Sequence, residues 1–241
     1  SCNVFFYRAG LELGIDELAK YAKSFGFGQQ TGIELPNEEP GLIPTREWKK
    51  EAIGDRWYPS ETMDAAIGQG FVSVTPLQLA SMVATVANGG TFYKPMLIKR
   101  IAKANGELIH EYQPTVVRKL PVDEKHLKTL RQGMWMVVNG KSGTARGSQI
   151  KEFEFAGKTG TAQVVRMGQG KDQEDLPVHL RDHGWFVCFA PIDNPQIAMA
   201  ILVENGMGGS RSAAPVAKYI FERLYKPQDF LVKQGATESQ T

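Results

Sequence analysis

Apolar residues recur every three or four positions in four stretches of the chain, and residues that start or stop helices stand at their ends. The stretches are 16–25, 76–87, 123–138 and 212–225. Asp16 is placed to cap the first helix, and Thr75 and Pro76 suit the cap and first turn of the second. The pattern predicts four helices, each with one buried face. The residues predicted to face inward are Leu18, Tyr21, Ala22, Phe25, Leu79, Met82, Val83, Val86, Ala87, Leu127, Leu130, Met134, Val137, Val216, Ala217, Ile220 and Leu224.

The last third of the chain has the pattern of β-strands. Apolar or β-branched runs occupy 153–165, 185–190 and 197–203, and turn residues bound each of them. The connection 191–196 contains two prolines and an Asp-Asn pair, so the second and third runs are predicted to form an antiparallel hairpin. Nearer the start of the chain, the segment 28–60 is polar and rich in Pro and Gly. It is predicted to be a long loop, of the kind that is functional or packed on the surface.

This order of elements predicts the architecture. Helices followed by three antiparallel strands and a closing helix are typical of one α/β domain in which helices and sheet form layers. The residues from 226 to 241 are polar and are predicted to form a flexible tail. The domain itself is therefore expected to span 1–225.

Composition narrows the possible functions. The chain has 28 Lys and Arg against 26 Asp and Glu, a net charge of +2, which gives no electrostatic reason to expect a nucleic acid partner. No apolar run reaches the length of about 18 residues that a membrane span needs. Cys2 and Cys188 are too few for a disulfide scaffold, and no zinc-ligand cluster is apparent. Neither a metal nor a cofactor is expected.

The strongest candidate for chemistry is Gly157-Lys158-Thr159-Gly160-Thr161, in the first predicted strand. Lys158 supplies positive charge, the hydroxyls of Thr159 and Thr161 can donate to a carboxylate, and Gly160 leaves the strand edge unobstructed. A peptide substrate could then lie along that edge as an added strand, with the backbone N–H of Thr161 directed at a developing oxyanion. On these residues alone, the alternative is a turn that happens to contain Lys-Thr-Gly.

A nucleotide-binding interpretation fails on spacing. A P-loop requires Gly five positions before its Gly-Lys-Thr, and Glu152 occupies that position. The similar run Gly140-Lys141-Ser142 fails in the same way, with Trp135 at the required Gly. That run also has no apolar strand before it, so Lys158 is favoured over Lys141 as the functional lysine.

The chain begins with Ser1-Cys2-Asn3, a motif that gains meaning from the Lys-Thr-Gly that starts at Lys158, 157 positions downstream. Ser-x-Asn followed by Lys-Thr-Gly resembles the serine acyl-transferases that comprise penicillin-binding proteins and class A β-lactamases. The wide interval resembles the high-molecular-weight penicillin-binding proteins, because β-lactamases have a much shorter one. The stretches that resemble the elongation-specific penicillin-binding protein 2 family in particular are 1–7, 31–33, 44–48, 68–70, 75–76, 143–145 and 183–186.

The resemblance covers essentially all of 1–225 and implies both fold and function. The fold is the α/β transpeptidase fold of penicillin-binding proteins and β-lactamases, an antiparallel sheet flanked by helices. The implied activity is that of a serine-type D-Ala-D-Ala transpeptidase or carboxypeptidase that cross-links peptidoglycan during cell elongation. The implied ligands are D-Ala-D-Ala stem peptides and β-lactam antibiotics. A membrane glycan polymerase and rod-shape complex proteins are the implied partners, at the periplasmic face of the bacterial inner membrane.

The resemblance also implies roles for single residues. Ser1 would relay a proton toward the leaving amine, Asn3 would hold the substrate's amide side chain, and Lys158 would polarise Ser1 and attract the terminal carboxylate. Thr159 and Thr161 would clamp that carboxylate on either side of Gly160, which belongs to the same substrate-binding motif.

Two further places in the sequence have alternative interpretations. Gln69 between two glycines either lines the substrate groove or belongs to a tight turn. His179, Asp182 and His183 could form an acid–base pair or a metal site. A structural or groove-wall role is favoured for them, because a lysine handles proton transfer in the family that the chain resembles.

One departure from the family concerns the nucleophile. The family carries Ser-x-x-Lys on a helix before Ser-x-Asn, and nothing precedes Ser1 here. Ser148 and Lys151 have the spacing but are out of order, because they come after Ser1-Cys2-Asn3 rather than before it, and they lie in a polar segment. We therefore expect the nucleophile to be absent from this chain, the fold to be incomplete on its N-terminal side, and the isolated chain to be inactive and prone to aggregate. The alternative is a non-catalytic β-lactam-sensing module on the same scaffold.

Overall fold

The computed structural model describes residues 2–165 and 172–225. The chain divides into two compact units, Ser1–Leu127 and Lys128–Thr241. Ser1 and the predicted tail at 226–241 lie outside the described residues. The predicted domain limits therefore stay a prediction, and each unit is described by itself.

The first unit combines helices with short antiparallel ribbons. Its helices are α1 (Asn3–Leu13), α2 (Ile15–Ser24), α3 (Arg46–Ala52), α4 (Pro59–Ala66) and α5 (Pro76–Ala87), and its strands are β1 (Thr91–Tyr93), β2 (Arg100–Ala102), β3 (Leu108–Glu111) and β4 (Val116–Lys119). Strand β1 pairs with β4, and β2 pairs with β3. Helix α1 packs against α4 and α2. The buried apolar residues of this unit include Ile15, Ala19, Val83, Val86, Phe92, Leu120 and Leu127.

The helix predicted after Thr75 is confirmed as α5. The Thr75 hydroxyl accepts a hydrogen bond from the backbone N–H of Gln78 at 3.2 Å, and the Gln78 side chain accepts one from the backbone N–H of Thr75 at 3.0 Å. This reciprocal pair satisfies two donors that a helix start would otherwise leave unpaired. Val83 and Val86, two of the residues predicted to face inward, are buried.

The predicted cap of the first helix is wrong by two residues, because Gly14 rather than Asp16 is the N-cap and α2 begins at Ile15. Asp16 makes a different contact: its carboxylate accepts from the backbone N–H of Arg46 at 3.3 Å and pairs with the Arg46 guanidinium at 3.4 Å. The buried face also differs, since Ile15 and Ala19 are buried whereas Tyr21 is exposed. A contact between residues 30 positions apart has replaced the predicted local cap.

The predicted loop at 28–60 is wrong in part, because it contains α3 and the start of α4. Thr45 caps α3 by accepting from the backbone N–H of Trp48 at 3.0 Å. The rest of the segment is held against α5 by Gln78, whose fully buried side-chain amide donates to the carbonyls of Gln29 and Pro40, both at 2.8 Å. The segment is therefore packed on the helix at this point.

Replacing Gln78 with leucine is expected to destabilise the folded protein by about 2–4 kcal/mol, because it leaves two carbonyls without their donor and removes the cap contact. The volume of the side chain is nearly conserved, so the loss is one of hydrogen bonds. Thermal unfolding of the full-length protein measures it, with Gln132→Leu at an exposed position of the next helix as the control. Equal unfolding midpoints for the two variants would contradict this role for Gln78.

The ribbons between residues 91 and 119 were not predicted from the sequence. Each of their strands has three or four residues, and β2 and β3 are exposed along their whole length. Strands that bury neither face show no alternation of apolar and polar residues, and alternation is the signal on which strand prediction depends.

The second unit contains the predicted three-stranded sheet. Its elements are β5 (Ala156–Ala162), β6 (His183–Ala190), β7 (Ile197–Val203) and α7 (Ala213–Tyr225), with short 3-10 turns at Arg146–Ser148, Gln173–Asp175 and Val178–Leu180. The helix predicted at 123–138 is confirmed as α6 (Glu124–Asn139), which leads from the first unit into this one. The β6–β7 pairing confirms the predicted antiparallel hairpin. Strand β5 is shorter than predicted at both ends.

Two of the predicted buried faces are partly wrong. On α7 the buried residues are Ala213, Ala214, Ala217 and Phe221, whereas Val216 and Leu224 are exposed. On α6, Leu127 is buried but Leu130 is 48% exposed. Small alanines let α7 lie close to the sheet, and the large Phe221 ring fills the core beside Phe155, at 5.0 Å between ring centroids.

Over the two described ranges, the longest helices are still too short or too polar to cross a bilayer.

Candidate active site

Strand β5 carries the predicted chemistry at one border of the sheet. Within the described part of the second unit the strand order is β5-β6-β7, so β6 covers one edge of β5. Lys158 lies opposite Val187, and Thr161 opposite Gly184, in an unbroken antiparallel register. The alternative in which Lys-Thr-Gly forms a turn is therefore wrong.

Alternation along the strand divides these side chains between two faces. Thr159 and Thr161 point to one face, and Lys158 points to the other. The Lys158 ammonium donates to the backbone carbonyl of Thr159 at 2.6 Å, so the charge is held beside the strand backbone. The two hydroxyls therefore lie on one face of β5 and the ammonium lies beside its backbone, all on the border strand of the described sheet.

Desolvation lowers the pKa of Lys158 below its ordinary value of 10.5. The residue keeps an exposed surface, but protein atoms around the ammonium displace enough water to disfavour the charged form. A lysine with a lowered pKa exchanges protons more readily near neutral pH, a property suited to proton transfer.

The lowered pKa predicts a pH-dependent stability difference for Lys158→Met. Between the folded pKa and 10.5 the unfolded chain binds more protons than the folded one, so the stability of the unsubstituted protein rises with pH across that window. The methionine variant lacks this pH dependence. Its stability relative to that of the unsubstituted protein should therefore be greatest at neutral pH. Thermal midpoints at about pH 7 and about pH 10 test this, because the gain should shrink toward the higher pH. The same change at exposed Lys151 is the control, and a gain independent of pH would contradict the cause.

A residue with no role assigned from the sequence joins this site. The Thr144 Oγ1 lies 3.0 Å from the Thr159 Oγ1, within hydrogen-bond distance. Thr144 is exposed and follows the end of α6, 15 residues before its partner. The stretch 143–145 stood out only as a resemblance to a family, and nothing in the sequence indicated which strand residue it would contact.

The segment before α7 packs closely against the backbone of β5 and β6. The Gly209 N–H donates to the Gly160 carbonyl at 3.2 Å. A Cβ on Gly209 would collide with the Trp185 carbonyl, and one on Gly184 would collide with the Ser212 hydroxyl. Because these glycines have no side chain, the segment before α7 can approach the strands more closely than any other residue would allow.

The predicted site residues of the first unit lie at helix ends and turns. Asn3 is the first residue of α1 and is exposed, while Ser1 lies outside the described residues. Gln69 is half-buried in the turn after α4, where its backbone N–H donates to the Asp64 carbonyl at 2.9 Å. Gly68 and Gly70 on either side have positive φ angles of 75° and 69°, which favours the tight-turn interpretation of this motif.

Asp182 and His183 make structural contacts. The Asp182 carboxylate is buried and accepts from the backbone N–H of Val164 at 3.2 Å, and the His183 Nδ1 accepts from the backbone N–H of Asn205 at 2.9 Å. Throughout residues 2–165 and 172–225, no three His, Cys, Asp or Glu side chains come together as metal ligands. The contacts favour the structural interpretation over an acid–base pair.

The remaining nucleophilic side chains differ in accessibility. Ser148 is buried at the end of a 3-10 turn, and Lys151 is exposed. Cys188 is fully buried in β6, where desolvation raises the pKa of its thiol, whereas Cys2 is exposed beside Asn3. A buried Ser148 does not have the access that a nucleophile needs.

Residues 1–222 match the family described as the penicillin binding protein transpeptidase domain. The peptidoglycan D,D-transpeptidase MrdA of Acinetobacter baumannii is 40% identical over 92% of this chain, and the chain covers 33% of that relative. The chain thus spans about a third of the length of the curated relatives that it matches first.

Solved structures agree with this relation. Pseudomonas aeruginosa PBP2, in complex with WCK 5153, superposes with a TM-score of 0.77 at 39% identity, over 93% of this chain and 47% of that one. PBP2 from Helicobacter pylori, in complex with MreC, superposes with a TM-score of 0.78 at 33% identity, over 94% of this chain and 38% of that one. The predicted α/β transpeptidase fold is confirmed.

Proposed function

Because this chain belongs to the penicillin-binding protein transpeptidase family, we propose that it is part of a peptidoglycan D,D-transpeptidase that cross-links stem peptides ending in D-Ala-D-Ala. The observation that carries the proposal is strand β5, where Lys158, Thr159 and Thr161 stand together on the border strand of the described sheet. A strand with a cation and two hydroxyls suits an extended peptide that ends in a carboxylate.

In the first step, a serine oxygen attacks the carbonyl carbon of the penultimate D-Ala. A C–O bond forms, the C–N bond to the terminal D-Ala breaks, and the leaving amine takes up a proton relayed through Ser1. Asn3 holds the amide side chain of the substrate, and the backbone N–H of Thr161 stabilises the oxyanion of the tetrahedral intermediate.

In the second step, the amine of a neighbouring stem peptide attacks the ester carbon of the acyl-enzyme. A C–N bond forms, the C–O bond to the serine breaks, and the serine regains the proton that the amine gives up. Three residues of β5 act in the first step, before the terminal D-Ala leaves: Lys158 polarises Ser1 and attracts the carboxylate of that residue, while Thr159 and Thr161 clamp the carboxylate beside Gly160. β-Lactams enter the first step only, because the opened ring stays attached and blocks the second.

We assign the nucleophilic serine to a Ser-x-x-Lys segment of the full-length protein outside these 241 residues. Two observations support this: Ser148 is buried, and the curated relatives are about three times as long as the matched region. The part present here, 1–225, then supplies the Ser-x-Asn and Lys-Thr-Gly motifs. The positive φ angles of Gly68 and Gly70 favour a tight-turn role for Gln69, and its contact with the substrate stays a prediction.

The proposal extends to partners and location. The H. pylori relative was solved with MreC, so a rod-shape protein of that kind is the expected partner, together with a membrane glycan polymerase. An enzyme that acts on peptidoglycan is expected at the periplasmic face of the inner membrane.

Labelling of the full-length protein with a fluorescent penicillin tests the function. We expect one covalent label per molecule, which prior treatment with an unlabelled β-lactam prevents and which peptide mass spectrometry assigns to the Ser-x-x-Lys serine. A label on Ser148 would contradict the assignment of the nucleophile. Reversible binding without a covalent adduct would support the sensing-module alternative.

A further inference from the structure

The hydroxyl pair of Thr144 and Thr159 joins two segments that the backbone already holds in place. The turn after α6 is fixed by hydrogen bonds from the Gly143 N–H to the Gly140 carbonyl at 3.1 Å and from the Ala145 N–H to the Val137 carbonyl at 2.9 Å. A Cβ on Gly143 would collide with the Val137 carbonyl, and Ala145 is buried. Thr144 therefore projects from a rigid turn.

The same turn is tied to the beginning of β5. The Asn139 side-chain amide, at the end of α6, donates to the carbonyl of Phe155 at 3.0 Å, one residue before the strand starts. A second bond from the same amide to the Trp135 carbonyl at 3.1 Å fixes its orientation. The Asn139 side chain therefore links the end of α6 to the start of β5, and backbone hydrogen bonds fix the turn that carries Thr144.

The hydrogen bond between Thr144 and Thr159 can determine where the Thr159 hydroxyl directs its proton. A hydroxyl has one proton to donate and two lone pairs that accept. If Thr159 donates to Thr144, its proton is no longer available to a ligand. If Thr144 donates to Thr159, the Thr159 proton can go to a carboxylate, which only accepts. Bonds in such a chain also polarise and strengthen one another.

We propose that Thr144 is a positioning residue for carboxylate recognition, which donates to Thr159 and so directs the Thr159 proton at the terminal carboxylate of the stem peptide or β-lactam. This inference rests on the proposed function, since the carboxylate is that of the transpeptidase substrate. Thr144 touches Thr159 and acts on the ligand through it.

The test compares a penicillin with its methyl ester on the full-length protein. Thr144→Val keeps the shape of the side chain but removes the hydroxyl, and it should slow acylation by the acid about fivefold, the value of one hydrogen bond. Acylation by the ester should change by less than about twofold, because the ester lacks the charged acceptor. Thr144→Ser should restore the rate with the acid.

The control is Ser142→Ala, which removes an exposed hydroxyl from the same turn, and thermal midpoints check that each variant folds. An equal loss for acid and ester would indicate a general structural role and overturn the proposal. An unchanged rate with the acid, or failure of the serine variant to rescue it, would also overturn it. If the unsubstituted protein reacts with neither compound, the proposed transpeptidase function is itself contradicted, and this inference fails with it.

Discussion

Replacing Lys158 with alanine in the full-length protein is expected to slow acylation by penicillin about a thousandfold, as loss of a charged group from a preorganised site does. The ammonium lies beside the strand backbone, 2.6 Å from the Thr159 carbonyl, where partial desolvation strengthens its field. Stopped-flow measurement of the second-order acylation rate constant gives the effect. The Lys158→Arg variant should not restore the rate, because a guanidinium is a larger, planar group that does not give up its proton.

The chain contains a matched control for this experiment. Lys141 begins a run with the same chemical pattern as Lys158, but it lies in an exposed turn after α6. The Lys141→Ala variant should acylate at the rate of the unsubstituted protein. Equal losses in the two variants, or a Lys158→Ala variant that acylates normally, would remove β5 from the proposed mechanism.

Replacing Gly209 with alanine is expected to destabilise the fold by about 3 kcal/mol or more, the upper range for overpacking. The added methyl group would collide with the Trp185 carbonyl and crowd that of Gly160, and both belong to backbone that cannot rotate away. Relief of the collision requires the segment before α7 to move off the sheet, which would break the Gly209–Gly160 hydrogen bond. The thermal midpoint of the full-length protein measures the loss.

Gly133 provides the opposite case. It lies in α6 with no atom near the position of an added Cβ, so Gly133→Ala should stabilise the protein by about 0.5–1 kcal/mol through helix propensity. The two substitutions add the same methyl group and differ only in their surroundings. Similar midpoints for the two variants would show that the close approach at Gly209 does not constrain the fold.

The sequence predicted an element correctly where neighbouring residues define its ends and one of its faces is apolar. Helix α5 has a reciprocal cap and a strongly apolar face, and β7 ends where the apolar run ends. It failed where distant contacts decided the outcome. Asp16 pairs with Arg46 rather than capping α2, and Val216 is exposed because alanines face the sheet. Strands β2 and β3 are exposed along their whole length, so burial leaves no alternation of apolar and polar residues in their sequence.

The same distinction separates the residues of the candidate site that the sequence predicted from those that it did not. Lys158 and the threonines of β5 were predicted because their chemistry lies within a single strand with apolar residues before it. Thr144 could not be assigned, since its contact with Thr159 depends on where α6 ends and on the hydrogen bond from Asn139, the last residue of α6, to the carbonyl of Phe155. The approach of Gly209 to β5 also spans about 50 residues, a separation at which no periodic pattern indicates contact.

The contrast between the two cysteines has a practical consequence for spectroscopy. Cys188 is shielded inside the sheet, and Cys2 is exposed at the residue before Asn3. Within this chain a maleimide fluorophore would therefore attach at one place without any engineered cysteine. The dye would sit in the Ser-x-Asn motif, and a change in its emission on adding a β-lactam is expected if the proposed function is right.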